Sequence, residues 1–132
     1  MVPIPSKKDF VVDSGCSSHI VTDLSLMKSL DLEAANEEYV LHLADGSMAR
    51  GVVKGRGRAK FRCTDSDGRP RDVTLNDVLF IPTFPRNILS IPSAIKEGMS
   101  FQFSKANCRI VGMSGGSLVM DSNDKLFTLK FN

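Results

Sequence analysis

Apolar and polar positions along the chain fall into short stretches of strand character, cut by turn residues at Ala44-Asp45-Gly46-Ser47, Asp65-Ser66-Asp67-Gly68, Gly112-Met113-Ser114-Gly115-Gly116 and Ser122-Asn123-Asp124. This pattern predicts a mostly β domain. Strands are expected at Asp9 to Val12, Ile20-Val21, Tyr39 to Leu43, Arg56 to Cys63 and Asp72 to Ile81. Four more are expected at Met99 to Phe103, Cys108 to Val111, Leu118 to Asp121 and Leu126 to Phe131. From Arg56 to Cys63 the alternation is strict, with Arg56, Arg58, Lys60 and Arg62 on one face and Gly57, Ala59, Phe61 and Cys63 on the other. Two short helices interrupt the pattern. Leu24 to Leu30 follows a possible Asp23 cap, and Pro92 to Glu97 begins with proline in its first turn and stops at Gly98.

Composition narrows the class. At 132 residues, with 42% hydrophobic residues, the chain suits one domain and buries roughly two-thirds of its unfolded surface without a staple. Residues 1–8 read as an N-terminal arm or linker and 9–132 as the domain. The Pro3-Ile4-Pro5 arm and the stop at Asn132 suggest a piece excised from a longer polyprotein. Three widely spaced cysteines, Cys16, Cys63 and Cys108, fit neither a disulfide framework nor a zinc site and suggest a reducing compartment. No apolar run is long enough to span a membrane. The net charge of +2 is too small to imply nucleic acid. The concentrated row Arg50, Lys54, Arg56, Arg58, Lys60 and Arg62 could nevertheless be either a nucleic-acid surface or a solvated strand face.

The chemistry centres on Asp13-Ser14-Gly15, where a carboxylate stands at the break of the apolar strand Phe10-Val11-Val12. Such a tripeptide can be a plain turn. It also suits acid catalysis by paired carboxylates, which needs an Asp on a rigid loop, a hydroxyl to tie that loop and a glycine to admit another backbone. Cys16 and His19 lie close by, but no orienting group or Gly-x-Ser-x-Gly elbow supports a thiol or serine nucleophile, and His19 is read as a structural group of the loop. Asp65-Ser66-Asp67-Gly68 lacks the remaining ligands of a calcium loop and is read as a tight turn.

Four blocks then fall in a telling order: Asp13 to Ile20, Ala44 to Ser47, Val78 to Pro82 and Asn87 to Ser90. Together they resemble the copia-type LTR-retrotransposon aspartic proteases of the retropepsin-like family. That family's Asp-Ser-Gly-(Ala/Cys)-Ser-x-His loop, Ala-Asp-Gly-Ser turn, Val-Leu-(Phe/Tyr)-(Ile/Val)-Pro strand and Asn-(Ile/Leu)-Leu-Ser segment match residues 9 to about 98. The chain has Ser90-Ile91 where retroviral relatives carry Gly-Arg, and residues 99–132 match only loosely.

The resemblance implies an all-β, retropepsin-like acid protease domain with one or two short helices, forming a two-fold dimer. Only one Asp-Ser-Gly is present, so two chains would each supply one Asp13 to a shared site. On this reading Asp13, Ser14 and Gly15 form the catalytic loop. Cys16, Ala44, Asp45, Gly46, Ser47, Ile88 and Leu89 would lie against the substrate, with residues 44–47 at the tip of a hairpin flap. The implied activity is cleavage of a Gag-Pol polyprotein and of the chain's own flanks, without metal or cofactor, inside a cytoplasmic virus-like particle and away from membranes. A carboxylate pair sharing one proton would favour mildly acidic to neutral pH. Two other functions stay open: a catalytically silent dimerisation or peptide-binding module, and a basic β-module that binds nucleic acid. The terminal stretch Phe127 to Asn132 could pair between subunits or complete its own sheet.

Overall fold

The structure, a computed structural model, describes residues 8–42, 46–105, 108–112, 116–123 and 126–132. Nine strands form one sheet: β1 (Asp9–Asp13), β2 (His19–Val21), β5 (Gly55–Thr64), β6 (Pro70–Phe80), β7 (Asn87–Ser90), β8 (Ser100–Phe103), β9 (Cys108–Val111), β10 (Ser117–Asn123) and β11 (Leu126–Lys130). Their order across the sheet is β5-β6-β2-β7-β1-β11-β10-β9-β8. The remaining strands, β3 (Glu38–His42) and β4 (Met48–Val52), pair only with each other as an antiparallel hairpin. The architecture is all-β with one short helix, α1 (Ile91–Lys96). No helix among the described residues is long and apolar enough to cross a membrane.

The centre of the sheet is a wide loop with a strand threaded through it. β1 and β2 are consecutive in the chain, yet β7 lies between them, parallel to β1 with Val11 beside Ile88 and Asp13 beside Ser90, and antiparallel to β2. Side chains of these strands alternate between two apolar cores. Phe10, Val12, Val21, Val78 and Leu89 pack on one face with Leu75, Ile110, Leu118 and Leu129. Val11, Ile20, Leu79 and Ile88 pack on the other with Ile81, Phe84 and the hairpin residues Leu41 and Ala49. The hairpin is therefore the cover of one face.

The sheet curls back on itself. The Phe131 N–H donates to the Lys8 carbonyl and the Asn132 N–H to that of Arg62, bringing the chain end against β5. Rings of Phe10, Phe61 and Phe131 meet there with centroids 4.6–5.4 Å apart. The outer edge of β5 is covered by residues 27–31 through bonds from Lys28 N–H to Arg58 O and between Asp31 and Arg56. This contact is close enough that a Cβ on Gly57 would lie 2.0 Å from the Ser29 carbonyl oxygen.

The expected helix at Leu24 to Leu30 is only a 3₁₀ turn, Leu24–Leu26, capped by Asp23 as anticipated. The backbone of Met27 onward is taken by the β5 edge instead, and edge pairing satisfies those amides better than an isolated short helix could. A second 3₁₀ turn, Leu32–Ala34, was not anticipated and is capped by Asp31. The other helix forms almost where expected: Ser90 caps α1, and Gly98, at φ 93°, follows its end. β11 lies between β1 and β10 with both edges bonded inside its own chain, so the terminal stretch completes its own sheet.

Candidate active site

Asp13 is the last residue of β1 and its side chain is 6% exposed. Its Oδ1 accepts the Gly15 N–H at 2.7 Å, which fixes the carboxylate against its own loop. Its Oδ2 is buried and has no hydrogen-bond partner. A buried carboxylate oxygen left this way is costly unless something else completes it. Ser14 and Gly15 are exposed beside it.

The loop that follows is held from beneath by β7. Ser90 Oγ donates to the Cys16 carbonyl, while the Ser90 N–H donates to His19 Nδ1 at 2.9 Å. Accepting at Nδ1 puts the ring proton on Nε2, which lies 3.8 Å from Glu97 Oε1 at the end of α1. Burial pulls the His19 pKa down to about 4, so the ring is neutral, and the same burial pushes the Glu97 carboxyl up. His19 thus holds the loop, as read from the sequence, and is no nucleophile's base. Asn87 clamps the other side: Oδ1 accepts from both the backbone and the hydroxyl of Thr22 at 2.9 Å, and Nδ2 donates to the Asp9 carbonyl at 3.1 Å. An Arg86–Asp9 ion pair at 3.2 Å, 15% exposed on each side, closes the base.

Cys16 turns inward. It is 1% exposed, its thiol donates to the Ser18 carbonyl at 2.9 Å, and Sγ lies 3.5 Å from the hydroxyl of Tyr39 on β3. Ile88 and Leu89 are both fully buried; Ile88 faces the hairpin side with Val11, and Leu89 faces the opposite core. Alternation along β1 puts Asp13 on the same hairpin-covered face as Val11. Of the expected flap tip, Ala44 and Asp45 lie outside the described residues, whereas Gly46, at φ 87°, and Ser47 are exposed. The structure therefore gathers Asp13 to Cys16, His19, Ile88 and Ser90 around one loop.

Sequence reasoning did not single out Tyr39, Asn87, Ser90 or Glu97 as site residues. Asn87 and Ser90 stood inside a recognised segment, but nothing in the pattern assigned work to their side chains. Tyr39 carried no local signal at all.

The two remaining candidates resolve differently. Asp65 makes a tight turn: its Oδ1 accepts from the Asp67 and Arg69 backbones and its Oδ2 pairs with Arg71 at 2.8 Å. Arg71 is the main reason its carboxyl is held below the usual range. Of the basic row, Arg56, Arg58, Lys60 and Arg62 lie on one exposed face of β5, whereas Arg50 belongs to β4 and Lys54 precedes β5; β6 sets acids against part of the β5 face. Arg56 pairs with Asp77 at 3.3 Å, and Lys60 and Arg62 share Asp72 at 3.6 and 3.1 Å, while Arg50 pairs with Glu38 within the hairpin. These acids offset part of the row's charge and weaken the concentrated positive field that phosphate binding uses.

No solved structure matches the chain. Residues 10–99, more than half of the chain, match the family described as Pol polyprotein, beta-barrel domain, and they contain Asp13, its loop, the hairpin and the β7 clamp. The chain belongs to that family, and its origin is a retroelement Pol polyprotein.

Proposed function

We propose that the chain is the aspartic protease domain of a copia-type retroelement, active as a homodimer in which each subunit supplies one Asp13. The observation that carries this reading is the Asp13 carboxylate itself. It is buried at the end of a central strand, fixed through Oδ1, and unpartnered at Oδ2. A second Asp13 across a two-fold axis would complete Oδ2 by a shared proton.

In the resulting pair, the ionised carboxylate takes a proton from a bound water, whose oxygen attacks the peptide carbonyl, while the protonated carboxyl gives its proton to the carbonyl oxygen. The carboxyl that took the water's proton then passes it to the amide nitrogen, a gem-diol hydroxyl returns its proton to the other carboxylate, and the C–N bond breaks to release the amine. Ser14, exposed beside Asp13, would bond to the partner's loop, and Gly15 would leave room for substrate backbone. The β3–β4 hairpin would close over an extended peptide. The substrate class is a Gag or Gag-Pol polyprotein segment.

The test is incubation of the protein with a Gag-derived polypeptide, alongside Asp13→Asn and a statine-type transition-state mimic. Cleavage blocked by the mimic and abolished by Asp13→Asn is expected, together with a concentration-dependent dimer in sedimentation. Cleavage that survives Asp13→Asn, or a protein that stays monomeric while active, would overturn the assignment.

A further inference from the structure

We infer that Tyr39 is a positioning residue, whose hydroxyl latches the β3–β4 hairpin to the Asp13 loop. The inference rests on the protease reading for its purpose, but its geometry is independent of it. The hairpin has no strand partner in the main sheet and is attached to the sheet face chiefly by apolar contacts of Leu41 and Ala49. Among the described residues, the hydrogen bonds between its strands and the loop after Asp13 come from Tyr39. The Cys16 thiol proton is used on the Ser18 carbonyl, so the tyrosine O–H is the donor to Sγ at 3.5 Å. Edge-on contact with Phe84, centroids 6.2 Å apart, fixes the ring that carries it.

This hydroxyl therefore spans the cover and the residue directly after Gly15. Movement of the hairpin cannot be independent of the loop that sets Asp13. Burial, followed by donation to Cys16, pushes the Tyr39 pKa up to about 12, so the proton needed for the bond stays in place across the working pH range. The chain has one tyrosine and no tryptophan, so its ultraviolet tyrosinate signal reports this residue alone.

Tyr39→Phe keeps the ring and removes the latch. The direct readout is labelling by a thiol reagent, resolved by mass spectrometry for each cysteine. Cys63 and Cys108 are buried elsewhere in the fold and register global opening. Loss of one hydrogen bond should speed Cys16 labelling about fivefold, with Cys63 and Cys108 unchanged. In a cleavage assay the same variant should raise KM about fivefold with little change in kcat, because closure over substrate and not bond breaking is weakened. A tyrosinate titration of Cys16→Ala should move down from about 12.

Equal labelling of Cys16 in both proteins would overturn the latch. So would a parallel rise at all three cysteines, which would make Tyr39 merely a stabilising residue. If the wild-type protein cleaves nothing, the protease reading fails, whereas the labelling comparison still decides the latch.

Discussion

At the centre of the sheet Asp13, His19, Asn87 and Ser90 are all more than nine-tenths buried, whereas along the β5–β6 hairpin the side chains of Arg56, Lys60, Arg62, Asp72 and Asp77 are roughly half exposed. Both regions are polar, but pairing does different work in them. Water competes for the Arg56–Asp77, Lys60–Asp72 and Arg62–Asp72 pairs and screens them. In the centre no water competes, so each hydrogen bond made by Asn87 or Ser90 is needed to keep a buried group satisfied. The centre therefore fixes geometry, and the exposed ion pairs of the hairpin face add little to it.

The sharpest way to break this contrast is Asn87→Leu, which has a similar volume but leaves the Thr22 N–H, the Thr22 hydroxyl and the Asp9 carbonyl without the partner seen here. Three weakened groups should cost about 4 kcal/mol, read as a lower urea midpoint at unchanged slope.

Acid comes next. His19 has its pKa lowered from 6.5 to about 4 by burial, so between those values the unfolded chain takes up a proton that the folded one refuses. Stability is full above about pH 6.5 and falls as pH drops towards 4, by about 3 kcal/mol. Glu97, whose carboxyl burial pushes up, offsets part of this loss by taking a proton more readily in the folded state. Denaturation curves across this window should show the decline in the wild type and a much flatter profile in His19→Gln.

Gly57→Ala tests whether the hairpin is as tolerant in its backbone as on its surface. The new methyl would meet the Ser29 carbonyl oxygen at 2.0 Å, and separating two backbones should cost about 2 kcal/mol, measured by thermal melting. The smallest effect belongs to Asp72→Ala, which removes the shared partner of Lys60 and Arg62. Its melting point should differ slightly from wild type at low salt and converge with it as salt rises. The variant should also gain some salt-sensitive affinity for RNA, because the basic row loses one of its acids.

Much of the strand layout could be read from alternation alone, because β5 and β6 are long and carry one wet face. β7 could not. Its four residues are all buried, so Asn87-Ile88-Leu89-Ser90 shows no alternation, and its place as the strand between β1 and β2 depends on partners some 70 positions away. The helix expected to Leu30 failed for a related reason, since periodicity does not show that the edge of β5 is available to capture the chain. The partly offset basic row teaches the same lesson. Asp72 and Asp77 are visible in the sequence, but only the pairing of β6 with β5 puts Asp72 opposite Arg62 and within reach of Lys60, and Asp77 within reach of Arg56.

Local chemistry settled where the chain would break and turn: Asp13-Ser14-Gly15 at the end of an apolar strand, the Asp65 turn, and the Ser90–Gly98 helix with its cap and stop. These depend on neighbours within a few positions, which the order of residues records directly. Only the folded arrangement decided that Asp13 Oδ2 is left without a partner, that His19 is a neutral strut, and that Tyr39 reaches Cys16. Burial and long-range contact create those properties, and neither exists until distant strands have packed.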